Sequence, residues 1–230
     1  MSAGFLVPFL LGLAAACLYL ASWLGGPAWV LAWPALSAAL LAVCYLLGAP
    51  GLLGKRPDGT RAVWAWLPFG PYLAFTLVVH HLARLLPEPA LDEVAPNLFV
   101  GRRVLAHELP AGIQRVVDLT AELHEPRGVR QRAHYRCLPT LDATVPDPAG
   151  LAALVEELAR LEEPLFLHCA QGHGRSATLA AAILLRRGAC ADPDAAEALM
   201  RRARPGIRLK PAQRRVLARF MAHSPAEGRA

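Results

Sequence analysis

Polar and apolar positions are unevenly distributed along this chain: no Asp, Glu, Lys or Arg precedes Lys55. Within that stretch, "FLVPFLLGLAAACLYLASW" (5–23) and "AWVLAWPALSAALLAVCYLLG" (28–48) are almost unbroken apolar runs. A helix crosses a bilayer with about 20 predominantly apolar residues, and both runs reach that length. "GGP" at 25–27 separates them as a tight turn. Trp23, Trp29 and Trp33 cluster near it, as aromatics at a membrane interface do. The pattern predicts a helical membrane hairpin. A cleaved signal peptide fits less well, because no basic segment precedes the first run and a second run follows at once. A third apolar stretch, 62–86, is interrupted by Pro68, Gly70 and Pro71; it reads as a kinked third span or as an interfacial or re-entrant segment. "GKRPDGTR" (54–61) is the most basic short loop and is expected to face the cytoplasm. If the third stretch crosses, the rest of the chain lies on the opposite side. If it stays in the interface, loop and remainder are both cytoplasmic.

After this membrane region, 1–86, the pattern changes. "PEPALDEVAPN" (87–97) reads as a linker. "LFVG" (98–101), "RVVDLT" (115–120), "HYRCL" (134–138) and "PLFLHC" (164–169) are short runs of strand character. Between the last two, 149–163 carries apolar residues at helical spacing. A helix is expected from about Arg175 to a stop at Gly188, and two more within 192–206 and 210–223. Alternating strands and helices predict an α/β domain over 98–230, a central sheet flanked by helices. Two to three transmembrane helices precede it.

Composition sharpens this division. Hydrophobic residues make up 55% of the 230, with a mean hydropathy of +0.34, too apolar for a plain soluble enzyme. The excess is local: apart from Lys55, Arg56, Asp58, Arg61 and Arg84, every charged residue falls beyond residue 86. A net charge of +6 without interleaved basic and aromatic residues does not describe a nucleic-acid binder. The five cysteines (17, 44, 137, 169, 190) contain no CxxC pair, which argues against a zinc site and a disulfide framework. No metal or cofactor is expected. Arg201, Arg202, Arg204, Arg208, Lys210, Arg214, Arg215 and Arg219 form a basic C-terminal stretch. It reads as a solvated face or as a contact with anionic lipid.

The chemistry concentrates in "HCAQGHGRSA" (168–177), which joins a strand to a helix. Backbone N–H groups of such a loop and of the first helical turn converge where the helix dipole is positive, a place for a phosphate-like dianion. The same field stabilises a thiolate, so Cys169 is expected to ionise readily and act as nucleophile. Gly172 and Gly174 let the backbone curl around the anion. Ala170, Gln171 and His173 complete the cradle, and His173 either meets a substrate headgroup or is solvated. Arg175 can grip two phosphate oxygens at once, which lysine does less well. Ser176 is placed to hydrogen-bond the sulfur and ease its departure. A thiol, an anion nest and an arginine at this spacing are the parts of phosphoryl transfer through phosphocysteine. A nucleotide-binding P-loop is excluded, since no GK(S/T) follows the glycines.

The stretch matches HCxxGxxR(S/T), the signature of the cysteine-based protein tyrosine phosphatase superfamily. "VAPNLFVGRR", "VVDLTAE" and "YRCLPTLDATVPD" extend the resemblance to the dual-specificity phosphatases, including their bacterial and mitochondrial lipid-phosphatase-like branch, over roughly 90–222. Rhodanese-like sulfurtransferases, which do not require this arginine and serine, come second. The resemblance implies that Asp142 is the general acid, with Asp147 as runner-up and a turn or cap residue as the bland alternative for either. It implies that His168 orients the loop. It also raises a disulfide between Cys137 and Cys169, against a plain buried strand cysteine. Asp118 and Glu122 read as solvent-facing or local-structure residues. The expected function is a membrane-anchored phosphatase acting on a phosphorylated protein or a phospholipid, its domain on the reducing, cytoplasmic side. The competing expectation is a catalytically silent phosphate-binding membrane module.

Overall fold

The structure, a computed structural model, describes residues 3–223. It begins with α1 (Ala3–Leu24) and α2 (Ala32–Leu47), packed against each other. Gly25 and Gly26 take positive φ between them and a 3-10 turn, Gly26–Leu31, leads into α2. α2 stops where Gly48 turns left-handed (φ 59) and the Ala49 N–H donates to Cys44 O. The third apolar stretch, expected to break at its prolines, is one continuous helix, α3 (Trp66–Ala83). Pro68 sits in its first turn, where a missing N–H costs nothing. Pro71 leaves Leu67 O without its intrahelical donor, and Trp33 Nε1 on α2 donates to that carbonyl at 2.6 Å. The same ring packs so tightly on Gly70 that a Cβ there would come within 2.5 Å of it. Among the described residues, three helical segments are long and apolar enough to cross a membrane: Gly4–Leu24, Gly26–Leu47 and Val63–Ala83.

The remainder is a five-stranded sheet in the order β1-β2-β5-β3-β4. β1 (Leu91–Ala95) and β2 (Leu98–Arg102) form an antiparallel hairpin turned at Asn97 (φ 59). β2, β5 (Leu165–Cys169), β3 (Arg115–Thr120) and β4 (His134–Thr140) run parallel. The stretch read as a linker, 87–97, therefore carries an edge strand; prolines at 87, 89 and 96 mask a run that only pairing with β2 makes extended. All of β5 is buried, as a central parallel strand covered on both faces must be. α6 (Arg175–Arg186) follows it and is buried from Arg175 through Leu184. α5 (Pro148–Leu158), α7 (Pro193–Ala203) and α8 (Pro211–His223) complete the layers, and α4 (Arg127–Arg132) is a short helix not anticipated from the pattern.

The apolar helices and the α/β domain share a core. Leu10, Leu41 and Leu73 of α1, α2 and α3 pack in one cluster with Ala121 and Leu141 of the domain. The loop after α2 is pinned as well. Buried Lys55 pairs with the Asp118 carboxylate and donates to Thr120 O and Thr120 Oγ1, each at 2.7 Å. Arg61 donates to Ala121 O at 2.9 Å, and the Glu125 N–H donates to Gly59 O at 2.8 Å. On the far side of α3, Arg84 pairs with Glu108 at 3.1 Å. Both ends of α3 are thus held by the same domain.

Candidate active site

β5 ends at Cys169 and α6 begins at Arg175, so five residues must turn the chain from the sheet edge into a helix N-terminus. Gly172 does this with φ +80, lying so close to the Gly101 backbone of β2 that a Cβ would collide with it. Gly174, by contrast, has φ −126, open to any residue; its smallness gives room to Gln213. The Cys169 side chain is buried, and its Sγ accepts from Gly172 N at 3.2 Å and Ser176 Oγ at 3.5 Å. Burial pushes the thiol up, but the Arg175 charge and the donors of Ser176 and Gly172 outweigh it and leave Cys169 more acidic than an ordinary cysteine.

Arg175 is 2% exposed and held from three directions. Its Nη1 and Nη2 donate to Glu122 Oε2 and Oε1 at 2.8 and 2.6 Å, a two-pronged pairing. Nη1 also reaches Thr140 O at 2.8 Å, and Nη2 lies 3.2 Å from Asp142 Oδ1. Its Nε is buried with no partner. That orphan donor, on a residue lining the same cavity as Cys169, is the atom left over for a bound anion. Glu122 is therefore no surface residue: it is 5% exposed and fixes the arginine. Asp118 is likewise fully buried. Burial opposes its ionisation, yet Lys55 and the hydrogen bonds around it hold its carboxyl well below the usual range.

Asp142 follows β4 in a loop, its side chain 67% exposed beside Arg175. Tyr45 on α2 donates to Asp142 O at 3.1 Å, tying the loop after β4 to the apolar helices. Asp147 instead caps α5, accepting from Gly150 N at 2.8 Å. His173 is half-buried and paired: its Nε2 lies 2.6 Å from Glu88 Oε1. Ala170, Gln171, Gly174 and His173 line the same cavity as Cys169. Arg204, which composition groups with the basic surface, is completely buried. It donates to Gly172 O at 3.2 Å and Gln171 O at 2.9 Å, bracing the loop from behind, and to Asp92 at 2.7 Å. Arg214 is also occupied, paired with Asp194 and Glu197. Cys137 is a free thiol in β4, as is Cys169; burial raises Cys137 to about 12.

His168 lies beneath the loop, fully buried, and burial lowers it to about 4, so the ring is neutral. Its ligand atoms and those of Asp118 and Glu125 come within 4.8 Å of one another, a spacing a metal ion could use. The cluster already holds its own cations: Lys55 on Asp118, and Arg103 3.6 Å from Glu125. Burial, with the Asp118 charge, raises Glu125 well above the usual carboxylate range. These residues fit a charge-balanced support better than a metal site.

Residues 102–226 match a family model described as "Swiss Army Knife protein, DSP-PTPase phosphatase domain". Among solved structures, Tk-PTP in its active form is 25% identical over 59% of this chain and 99% of its own, with a TM-score of 0.52. PTPMT1 in complex with PI(5)P shares the fold at 20% identity, over 58% of this chain and 95% of its own, TM-score 0.51. The human tyrosine phosphatase-like serine/threonine/tyrosine-interacting protein does so at 19% identity, over 59% and 97%, TM-score 0.50. Among curated proteins, none matches the chain.

Proposed function

The chain belongs to the DSP-PTPase phosphatase domain family, and from that premise we propose that it is a membrane-anchored phosphatase hydrolysing phosphomonoesters through phosphocysteine. The observation that carries this reading is the acidified Cys169 thiol beside an Arg175 whose Nε has no partner. The Cys169 thiolate attacks phosphorus while the bond to the leaving oxygen breaks, and Asp142 gives that oxygen its proton. The loop amides of 170–174 and Arg175 hold the equatorial oxygens. Asp142, now a carboxylate, takes a proton from water, which attacks the phosphocysteine. The S–P bond breaks, phosphate leaves, and Ser176 hydrogen-bonds the returning thiolate. His168 keeps the loop in place without exchanging protons, its ring neutral at working pH.

The substrate phosphate sits on a lipid headgroup or on a protein side chain. The three apolar helices support anchoring in a bilayer. Contacts of the domain with Lys55 and Arg61 before α3, and with Arg84 after it, favour the basic loop and the domain lying on one side, the cytoplasmic one. The test is phosphate release from p-nitrophenyl phosphate by the full-length protein in detergent, with Cys169→Ser as comparison. The wild type should turn over and the variant should not, while still binding phosphate. A wild type that binds phosphate but never releases it from an ester would make the protein a silent binding module.

A further inference from the structure

The site does not open as a dish towards water. One cavity of about 780 Å³ joins Cys169, Arg175 and Asp142 to the apolar helices. Away from the thiol its walls are mostly hydrocarbon, among them Phe9 and Leu13 of α1, Leu41 of α2, and Phe75 and Val79 of α3, with Ser37, Thr76 and His80 as polar exceptions. At the thiol end, Arg208 and Lys210 add positive charge to that of Arg175. The volume lies in the upper part of the range of ligand sites, roughly 300–1,000 Å³. An anion nest at one end and a membrane-helix groove along the rest is complementary to one kind of molecule.

Resting on the phosphatase reading above, we propose that the substrate is a membrane lipid with a terminal phosphomonoester, its acyl chain lying in the groove between α1, α2 and α3. The chemistry of the walls makes the choice. A phosphate on a protein side chain would bring polar backbone into a groove whose apolar lining offers it few partners, a costly exchange for each unpaired group. An acyl chain has no such groups and gains from every methylene it buries. The helices also bring the site to the bilayer: Tyr45 of α2 holds the backbone of Asp142, so the acid loop stands where the groove begins. The lipid then enters sideways from the leaflet, and only its headgroup leaves hydrocarbon.

The test uses full-length protein and three probes: p-nitrophenyl phosphate, a phosphotyrosine peptide, and monomeric phosphatidic acids with four- or six-carbon chains. For the wild type, kcat/KM is expected to rise at least tenfold from the four- to the six-carbon lipid, burial of each methylene being worth about fourfold. Leu13→Trp and Val79→Trp, at exposed positions of the groove wall, should each lower the six-carbon value about tenfold. Their p-nitrophenyl phosphate rates should stay unchanged, which also shows that they fold. Equal values for the two lipids, or a preference for the peptide, would overturn the lipid assignment while leaving the phosphatase intact. If the wild type hydrolyses none of the three, the phosphatase reading fails first and this inference with it.

Discussion

Glu122→Gln tests how the site holds its arginine. The glutamate accepts two hydrogen bonds from Arg175, at 2.6 and 2.8 Å, in a place where both residues are almost completely buried. The amide keeps the shape and one acceptor oxygen, but turns an NH₂ towards a guanidinium that also only donates. One charge-assisted bond is lost, worth about 1.5–3 kcal/mol. The freed guanidinium swings away from the position in which Nε faces the anion. If that cost falls on the transition state, kcat/KM for p-nitrophenyl phosphate drops about 10- to 150-fold, at 1.36 kcal/mol per factor of ten. Steady-state kinetics with the full-length protein measures it, and phosphate or vanadate binding to the same variant should weaken in parallel. A variant with wild-type kcat/KM would refute the reasoning, because it would mean that Arg175 keeps its aim without the carboxylate.

Three further outcomes are expected. Asp142→Asn should lower kcat by about 10²–10⁴-fold, the usual worth of a positioned acid, whereas Asp147→Asn should leave kcat in place and cost no more than about 1 kcal/mol of stability as a weakened cap; parallel kinetics and thermal melts separate them. Ser176→Ala removes a donor that lowers the Cys169 pKa. Since kcat/KM falls as the pH drops through the thiol's pKa, the acid limb of the pH profile should move to higher pH, and an unmoved limb would exclude the serine from this role. Lys55→Met leaves the Asp118 carboxylate buried without its cation and should destabilise the fold by about 3–5 kcal/mol in denaturant unfolding, with Lys55→Met combined with Asp118→Asn recovering much of it.

The strands and helices around the nucleophile were legible because their signals are local. "RVVDLT" is β3 residue for residue, and the step from "PLFLHC" to "RSATLAAA" fixes β5, the loop and the start of α6. What escaped depends on partners distant in sequence. Glu122 meets Arg175 across 53 positions and Lys55 meets Asp118 across 63, and no periodicity reports such pairings. One signal was present. An aspartate inside a β-branched run, in a strand buried on both faces, must be paired, so Asp118 implied a buried cation somewhere in the chain. The basic loop 54–61 stands out as a marker of membrane orientation, which hides Lys55's second role. Arg204 is lost in a crowd of arginines, since burial distinguishes it and composition does not. The edge strand β1 is hidden by its prolines, and its extended form comes from β2.

The Lys55–Asp118 pairing also bears on how the protein is made. On the anchored reading proposed above, the apolar hairpin inserts before β3 is made, and its loop then lies on one face of the membrane. When β3 forms, its aspartate finds a lysine only if that loop waits on the same side. A hairpin inserted upside down would strand the lysine across the bilayer and leave a buried carboxylate unanswered in the centre of the sheet. On that reading the domain could fold only on correctly oriented copies, the buried pair would act as a check on insertion, and misinserted chains would remain open to proteolysis.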